Sequence, residues 1–147
     1  MEHIRHRVGI SAPAPRVYAA LATKEGLAGW WAQVDGEDTP GGTLRFFFHG
    51  DPDPRVVMEV VDLAPTQRVG WRCVQGPEEW VGTALTFEVR AAEEETVVLF
   101  THAWRDPIEF LHHCSTKWAY FLLGLKTWLE GGASVASPND MKISSWG

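Results

Sequence analysis

Residues 108–132 read IEFLHHCSTKWAYFLLGLKTWLEGG, and this stretch decides the fold. Its apolar residues recur at three- and four-residue spacing, the pattern of a helix with one buried stripe, made of Cys114, Trp118, Phe121, Leu122, Leu125 and Leu129. Pro107 precedes the stretch and Gly131-Gly132 ends it, as proline and glycine do at the two ends of helices. We therefore predict one long helix over roughly residues 108–130.

Short runs of alternating apolar and polar residues precede this helix. They predict about six strands, over residues 3–10, 43–49, 56–63, 68–74, 83–90 and 96–104. Turn-forming Gly, Pro and Asp residues separate the later runs, which favours an antiparallel meander.

Two short helices are predicted after the first strand. Pro13 and Pro15 open the first, because proline is tolerated in the first turn of a helix. Thr23 is a fair N-cap for the second, which ends at Trp30-Trp31. The segment that follows, rich in Gly and Asp, is predicted to be a loop.

The predicted strands expose one apolar face that another element must cover, and only the long helix is large enough to do so. We therefore predict an α+β fold in which a curved antiparallel sheet of about six strands wraps around the long C-terminal helix. The 147 residues fit one domain, with a core over residues 3–131 and a polar tail over residues 132–147 that is extended against the surface or loose.

Charge and composition exclude several classes of partner. A formal charge of −6 argues against nucleic acid, which needs a basic surface. No apolar run resembles a signal peptide or is long enough to span a bilayer, so we expect a soluble, cytoplasmic protein without integral membrane association. Cys73 and Cys114 stand apart inside apolar stretches, which predicts buried free thiols.

The order of elements and a set of short motifs resemble the SRPBCC superfamily, the helix-grip fold of START lipid-transfer domains, the birch-pollen allergen and polyketide cyclases. Within it, the chain is most similar to the domain of activators of the heat-shock-protein-90 ATPase. The motifs are Pro13–Val17-Tyr18, Ala20-Leu21, Gly26-Leu27, Trp30-Trp31, Gly41-Gly42 with Leu44-Arg45-Phe46, Val60–Pro65 with Arg68-Val69, Thr101-His102, and Trp118 with Leu122 and Leu125.

This resemblance implies a cavity between sheet and helix that binds a small hydrophobic or aromatic molecule, such as a lipid or a polyketide. Two alternatives stay open: an enzyme of the cyclase or aromatase type that uses the same cavity, and an interaction protein that docks a chaperone. The eukaryotic chaperone activators carry a further N-terminal domain that this sequence lacks, which weighs against the chaperone role.

Side chains that face the cavity follow from period-two alternation. Arg45, Glu59 and Arg72 should point to water, which turns their sequence neighbours inward. The last strand is apolar on both faces, and there the family pattern favours Val98, Phe100, His102 and Trp104 as inward. The candidate ligand-binding residues are Trp30, Trp31, Phe46, Phe48, Met58, Trp71, Cys73, Phe87, Phe100, His102, Trp104, Cys114, Trp118, Phe121, Leu122 and Leu125.

His102 is the one weak catalytic candidate, because a neutral imidazole in an apolar cavity can orient a ligand or act as acid or base. The alternative is a hydrogen-bonded core histidine. A catalytic role needs a second titratable group facing His102, for which Tyr18 and Glu109 are the candidates. We expect no cofactor and no metal, since no motif predicts either and the adjacent His112-His113 point about 100° apart on a helix. The many tryptophans suggest a homodimer if some of them are exposed.

Overall fold

The computed structural model describes residues 1–147, which form seven strands and three helices. In chain order these are β1 (Glu2–Ile10), α1 (Ala14–Ala22), α2 (Lys24–Trp30), β2 (Gln33–Gly36), β3 (Thr43–Phe47), β4 (Val56–Ala64), β5 (Arg68–Gln75), β6 (Ala84–Ala91), β7 (Thr96–Trp104) and α3 (Glu109–Leu129). The predicted α+β helix-grip architecture is confirmed, and the long helix spans nearly the predicted range.

All seven strands belong to one antiparallel sheet with the order β1-β7-β6-β5-β4-β3-β2. Strands β3 to β7 form the predicted meander, which β2 extends at one edge, and β1 pairs with β7 along its whole length, from Glu2 opposite Trp104 to Ile10 opposite Thr96. The two edge strands are therefore β1, which leads into α1, and β2, which follows α2.

Strand β2 corrects the prediction, which had a loop here and therefore counted one strand too few. Its four residues, Gln33–Gly36, have weak strand propensity but pair with β3 at the sheet edge. Asp35 lies opposite Arg45, and the two side chains form a two-pronged ion pair with N–O distances of 2.7 and 2.8 Å. Pairing with β3, rather than local pattern, makes this segment a strand.

The sheet curves at β4. Its register against β5 shifts twice, between Val57 and Met58 and between Val60 and Asp62. Such bulges bend a strand and increase its twist. They also break the simple alternation, because Val56, Val57 and Met58 are all buried.

The short helices are capped much as predicted. The hydroxyl of Thr23 accepts a hydrogen bond from the backbone N–H of Gly26 over 3.0 Å, which confirms Thr23 as the N-cap of α2. Pro13 precedes α1 as its N-cap and Pro15 lies in the first turn. Helix α2 ends at Trp30, and Trp31 follows it.

The inward faces assigned from alternation are confirmed. The predicted inward residues of β3 to β7 are all buried, and so are all six residues of the apolar stripe on α3. His102 and Trp104 are buried as the family pattern indicated. Cys73 and Cys114 are buried free thiols, also as predicted.

The tail (residues 132–147) packs against the surface and has turns near residues 137–139 and 144–146. The backbone N–H of Ser137 donates to the carbonyl oxygen of Trp31 over 2.9 Å, and that of Met141 donates to the hydroxyl of Tyr120 over 3.0 Å. None of the three helices combines the length and the apolar character that crossing a membrane requires.

Candidate functional site

One apolar cleft opens at an end of the helix–sheet interface. It lies between the first half of α3, the end of β3, the start of β4, the β5–β6 loop and the tail, and its volume is about 160 Å³. We call it the cleft; its lining consists of Trp31, Phe48, His49, Arg55, Val56, Pro77, Trp80, Phe110, His113, Cys114, Lys117, Trp118, Phe121, Asp140, Trp146 and Gly147.

Aromatic rings form its inner wall, with Trp118 at the centre. The Trp118 ring stacks on Trp80 at a centroid distance of 5.8 Å and tilts against Trp31 at 5.0 Å. Phe48 meets Trp31 edge to face at 5.8 Å. Flat apolar walls at these angles suit an aromatic or other planar guest.

Of the sixteen residues predicted to bind a ligand, five line the cleft: Trp31, Phe48, Cys114, Trp118 and Phe121. The other eleven pack elsewhere in the core: Trp30, Phe46, Met58, Trp71, Cys73, Phe87, Phe100, His102, Trp104, Leu122 and Leu125. Their rings contact one another directly, as Phe87 does with Trp71 at 5.1 Å and with Phe100 at 5.0 Å. The inward face of the sheet is therefore filled mostly by its own side chains, and the open space is confined to one end.

The two adjacent tryptophans have different roles. Trp30 is fully buried, and its indole N–H donates to the carbonyl oxygen of Ala20 over 2.8 Å, which ties α2 to α1. The Trp31 ring stacks with that of Trp30 at a centroid distance of 6.2 Å, and it lines the cleft. Trp30 therefore packs the short helices, whereas Trp31 borders the open space.

His102 is hydrogen-bonded through both ring nitrogens. The indole N–H of Trp118 donates to Nδ1 over 3.3 Å, so Nε2 carries the proton and donates to the hydroxyl of Thr83 at 3.0 Å. Burial lowers the pKa of His102 to about 3, which keeps the ring neutral at physiological pH. Both ring nitrogens of His102 are hydrogen-bonded, and His102 does not line the cleft. It therefore lies behind Trp118 and positions the Trp118 indole.

The partners required for catalysis by His102 do not meet it. Tyr18 lies near Asp62, and burial together with that carboxylate raises the pKa of its phenol. Glu109 is exposed in the first turn of α3. The proposed pairing of His102 with either residue is therefore wrong, because its two nitrogens are engaged by Thr83 and Trp118.

A buried ion pair forms the polar side of the cleft. Lys117 Nζ lies 2.8 Å from Asp140 Oδ2, and the two side chains are only 17% and 3% exposed. Lys117 also donates to the backbone oxygens of Met141 and Gly147. One lysine of α3 thereby holds three acceptors of the tail, which keeps the tail closed over the cleft.

Trp146 covers the outer side of the cleft. Its ring meets Phe110 and His113 edge to face, each at 5.8 Å, and it is 52% exposed. His113 Nδ1 lies 2.7 Å from the hydroxyl of Ser144, and burial together with the Lys117 charge lowers the pKa of this histidine. Trp146 is thus held by contacts with one helical turn of α3.

Neither thiol is activated. Cys114 lines the cleft, but burial raises its pKa to about 12, and burial raises the pKa of Cys73 to about 11. A nucleophilic cysteine needs the opposite shift. No three His, Cys, Asp or Glu side chains converge in the structure, so it offers no set of metal ligands.

Sequence reasoning missed several cleft residues. Trp80 lies in a loop between Gly76 and Gly82, outside every predicted strand, although a tryptophan in so polar a loop is itself a signal. Lys117 lies three residues after Cys114 and four before Phe121, at the margin of the apolar stripe, so helical spacing could have found it. The tail residues Asp140 and Trp146 carry no periodic signal.

Several solved structures share this fold. The solution structure of the Aha1 dimer from Colwellia psychrerythraea is 40% identical in sequence with a TM-score of 0.78, and the match covers 90% of this chain and 98% of that one. CalU16 from Micromonospora echinospora is 17% identical with a TM-score of 0.77, covering 97% and 76% of the two chains. DynU16, from the dynemicin biosynthetic locus, is 20% identical with a TM-score of 0.74, covering 90% of this chain and 49% of that one.

The last two similarities show the fold alone, because their sequence identity is low. No curated protein matches the chain. The profile of the family described as activator of Hsp90 ATPase homolog 1-like protein matches residues 11–130, which span the short helices, strands β2 to β7 and α3; β1 and the tail lie outside the match. The chain therefore belongs to the activator of Hsp90 ATPase homolog 1-like family, within the SRPBCC superfamily.

Proposed function

We propose that the protein binds a small apolar or aromatic molecule in the cleft. The observation that carries this proposal is the wall of Trp31, Trp80 and Trp118 around open space at the helix–sheet interface. The edges of these rings that border the open space lack dispersion partners there, and a guest that fits the space supplies them.

The size of the cleft limits the guest. Its 160 Å³ is below the roughly 300–1,000 Å³ of typical ligand sites but close to the about 150 Å³ that holds a benzene molecule. A lipid or a polyketide would need the tail to move away. We therefore infer that the guest that fits the closed form has a single ring.

Titration of the protein with single-ring compounds and with palmitate and a flavonoid tests this proposal. Tryptophan fluorescence and NMR chemical shifts should change saturably for the single-ring compounds, because Trp31, Trp80 and Trp118 line the cleft. A folded protein whose spectra respond to none of these compounds would contradict the proposal.

Two variants on α3 provide matched evidence. Cys114→Met places extra side-chain atoms in the cleft and should weaken binding at least about tenfold, and its melting temperature shows whether the variant stays folded. Leu123→Ala removes an exposed side chain from the same helix outside the cleft and should leave binding unchanged. Equal effects of the two variants would argue against the cleft as the site.

A chaperone partner is the second candidate function. It is favoured by the 40% identity to the Aha1 of Colwellia psychrerythraea and by membership in the family. Stimulation of the ATPase activity of a bacterial heat-shock protein 90 by the purified protein would support it, and no stimulation at saturating concentration would exclude it. The same relative was solved as a dimer, so we also propose a homodimer, which light scattering would detect.

The tryptophan count itself gives little support to a dimer. Six of the eight tryptophans are buried in the core, and of all eight only Trp146 is largely exposed. The high count reflects the filling of the core and the wall of the cleft.

A further inference from the structure

Asp140 carries an acceptor that nothing in the protein satisfies. Its side chain is 3% exposed and lines the cleft, yet Oδ1 has no hydrogen-bond partner. Lys117 engages the other oxygen, and His49 Nε2 lies 3.9 Å from Oδ1, beyond hydrogen-bond distance. A buried carboxylate oxygen left in this state is costly, and a donor that reaches it gains a charge-assisted bond.

Trp80 carries an unsatisfied donor in the same cleft. Its Nε1 is buried without a partner that meets hydrogen-bond geometry, and the Cys114 thiol beside it is only a weak acceptor. By contrast, the indole N–H of Trp118, which also lines the cleft, donates to His102. Trp104 has the third unpaired polar atom among buried side chains, but it lies outside the cleft.

Asp140 Oδ1 and the Trp80 N–H indicate which polar groups a ligand of the cleft should carry: a donor for the first and an acceptor for the second. We propose that the ligand of the cleft is a single-ring aromatic molecule with a hydroxyl group, whose O–H donates to Asp140 Oδ1 while the ring contacts Trp80 and Trp118. This inference rests on the proposed function. The oxygen of the same hydroxyl, or of a second ring substituent, accepts from the Trp80 N–H.

Charge favours a hydroxyl over a carboxylate on the guest. Asp140 Oδ1 can only accept, so a guest carboxylate meets a like charge there. Lys117 does not compensate, because Asp140, Met141 and Gly147 already engage its ammonium group. Arg55 is exposed at the rim, so its charge is screened by solvent.

Three ring compounds of similar size test the inference: p-cresol, toluene and p-toluate, titrated by calorimetry or NMR. We expect p-cresol to bind about tenfold more tightly than toluene, because its hydroxyl adds one hydrogen bond to a charged group. We expect p-toluate to bind more weakly than p-cresol. Equal dissociation constants for p-cresol and toluene would overturn this inference alone. If no ring compound bound, the proposed function would fall, and this inference with it.

Two variants locate the effect. Asp140→Asn keeps the shape but removes the charge, and it should reduce the preference for p-cresol over toluene several-fold, measured as the ratio of the two dissociation constants within the variant. Trp80→Phe keeps a ring and removes the N–H, and it should also reduce that preference. Leu123→Ala is the control. A preference that both cleft variants leave intact would overturn the assignment.

Discussion

The indole N–H of Trp118 donates to Nδ1 of His102 over 3.3 Å, and this bond decides which nitrogen of the buried ring carries the proton. Nε2–H then donates to Thr83, whose hydroxyl donates to the carbonyl oxygen of Trp80. The chain of bonds joins α3, β7 and the β5–β6 loop, so the two stacked indoles of the cleft are held by one continuous network.

Replacing Trp118 by Phe should destabilise the protein more than replacing Trp80 by Phe. The first change leaves His102 Nδ1 as a buried unsatisfied acceptor, whereas the second removes an N–H that has no partner. We expect the free energy of unfolding to differ by about 1–2 kcal/mol between the two variants, measured by urea denaturation. The rings are matched, so equal losses would show that the Trp118–His102 bond contributes nothing.

Stability should fall as the pH is lowered, because His102 stays neutral in the fold. Its pKa is about 3 in the folded chain against 6.5 when unperturbed, so between these values the unfolded state binds a proton that the native state does not. The free energy of unfolding therefore decreases from pH 6.5 downwards, by about 1.4 kcal/mol per pH unit from this group.

His102→Gln provides the comparison for this pH dependence. The unfolding free energy of this variant should depend less on pH between 4.5 and 6.5 than that of the unchanged protein. Above pH 7.5 the two proteins should show the same slope of unfolding free energy against pH. NMR gives an independent readout, since the His102 ring should show no titration down to pH 4. A midpoint near 6.5 for this ring would contradict the burial argument.

Lys117→Met should cost about 3 kcal/mol, because it leaves the Asp140 carboxylate buried without its cation. Arg72→Met is the control, since Arg72 pairs with Glu59 on the exposed face of the sheet and should lose no more than about 1 kcal/mol. Thermal and urea unfolding of both variants would check the difference. Similar losses would mean that the tail does not shield the Lys117–Asp140 pair.

Gly124 tests how closely the tail packs on α3. A Cβ at this position would lie 2.7 Å from Cγ2 of Val135, so Gly124→Ala should displace the tail and forfeit the gain of about 1 kcal/mol that alanine brings to a helix. In a Val135→Ala background the clash is absent, and Gly124→Ala should stabilise the protein by about that amount. Additive effects in this double-mutant cycle would show that the two residues are not in contact.

The fold was largely readable from the sequence because its elements have strong periods. The apolar stripe of α3 and the alternation in β6 each specify one buried face. In β6, a register slip of one residue would turn that face to water. Strand β2 was missed because its stability comes from pairing with β3, which no local pattern reports.

The cleft was less predictable for a related reason. Alternation says that Trp71 and Phe48 face inward but not that the first is enclosed by other rings and the second borders open space. Which inward residues line a void depends on how side chains from distant segments fill the interior. The tail closes one side of the cleft with Asp140 and Trp146, and its sequence has neither a periodic pattern nor a motif that would predict this.

The pairing of β1 with β7 has a consequence for how the chain folds. Glu2 lies opposite Trp104, so the sheet gains its last strand only when residues about a hundred positions apart meet. Contacts of such separation slow folding, whereas the hairpins from β2 to β7 form between near neighbours. We expect the meander to assemble first, with β1 and α3 docking last, so that the tryptophans of the interior stay accessible to chaperones until the helix arrives.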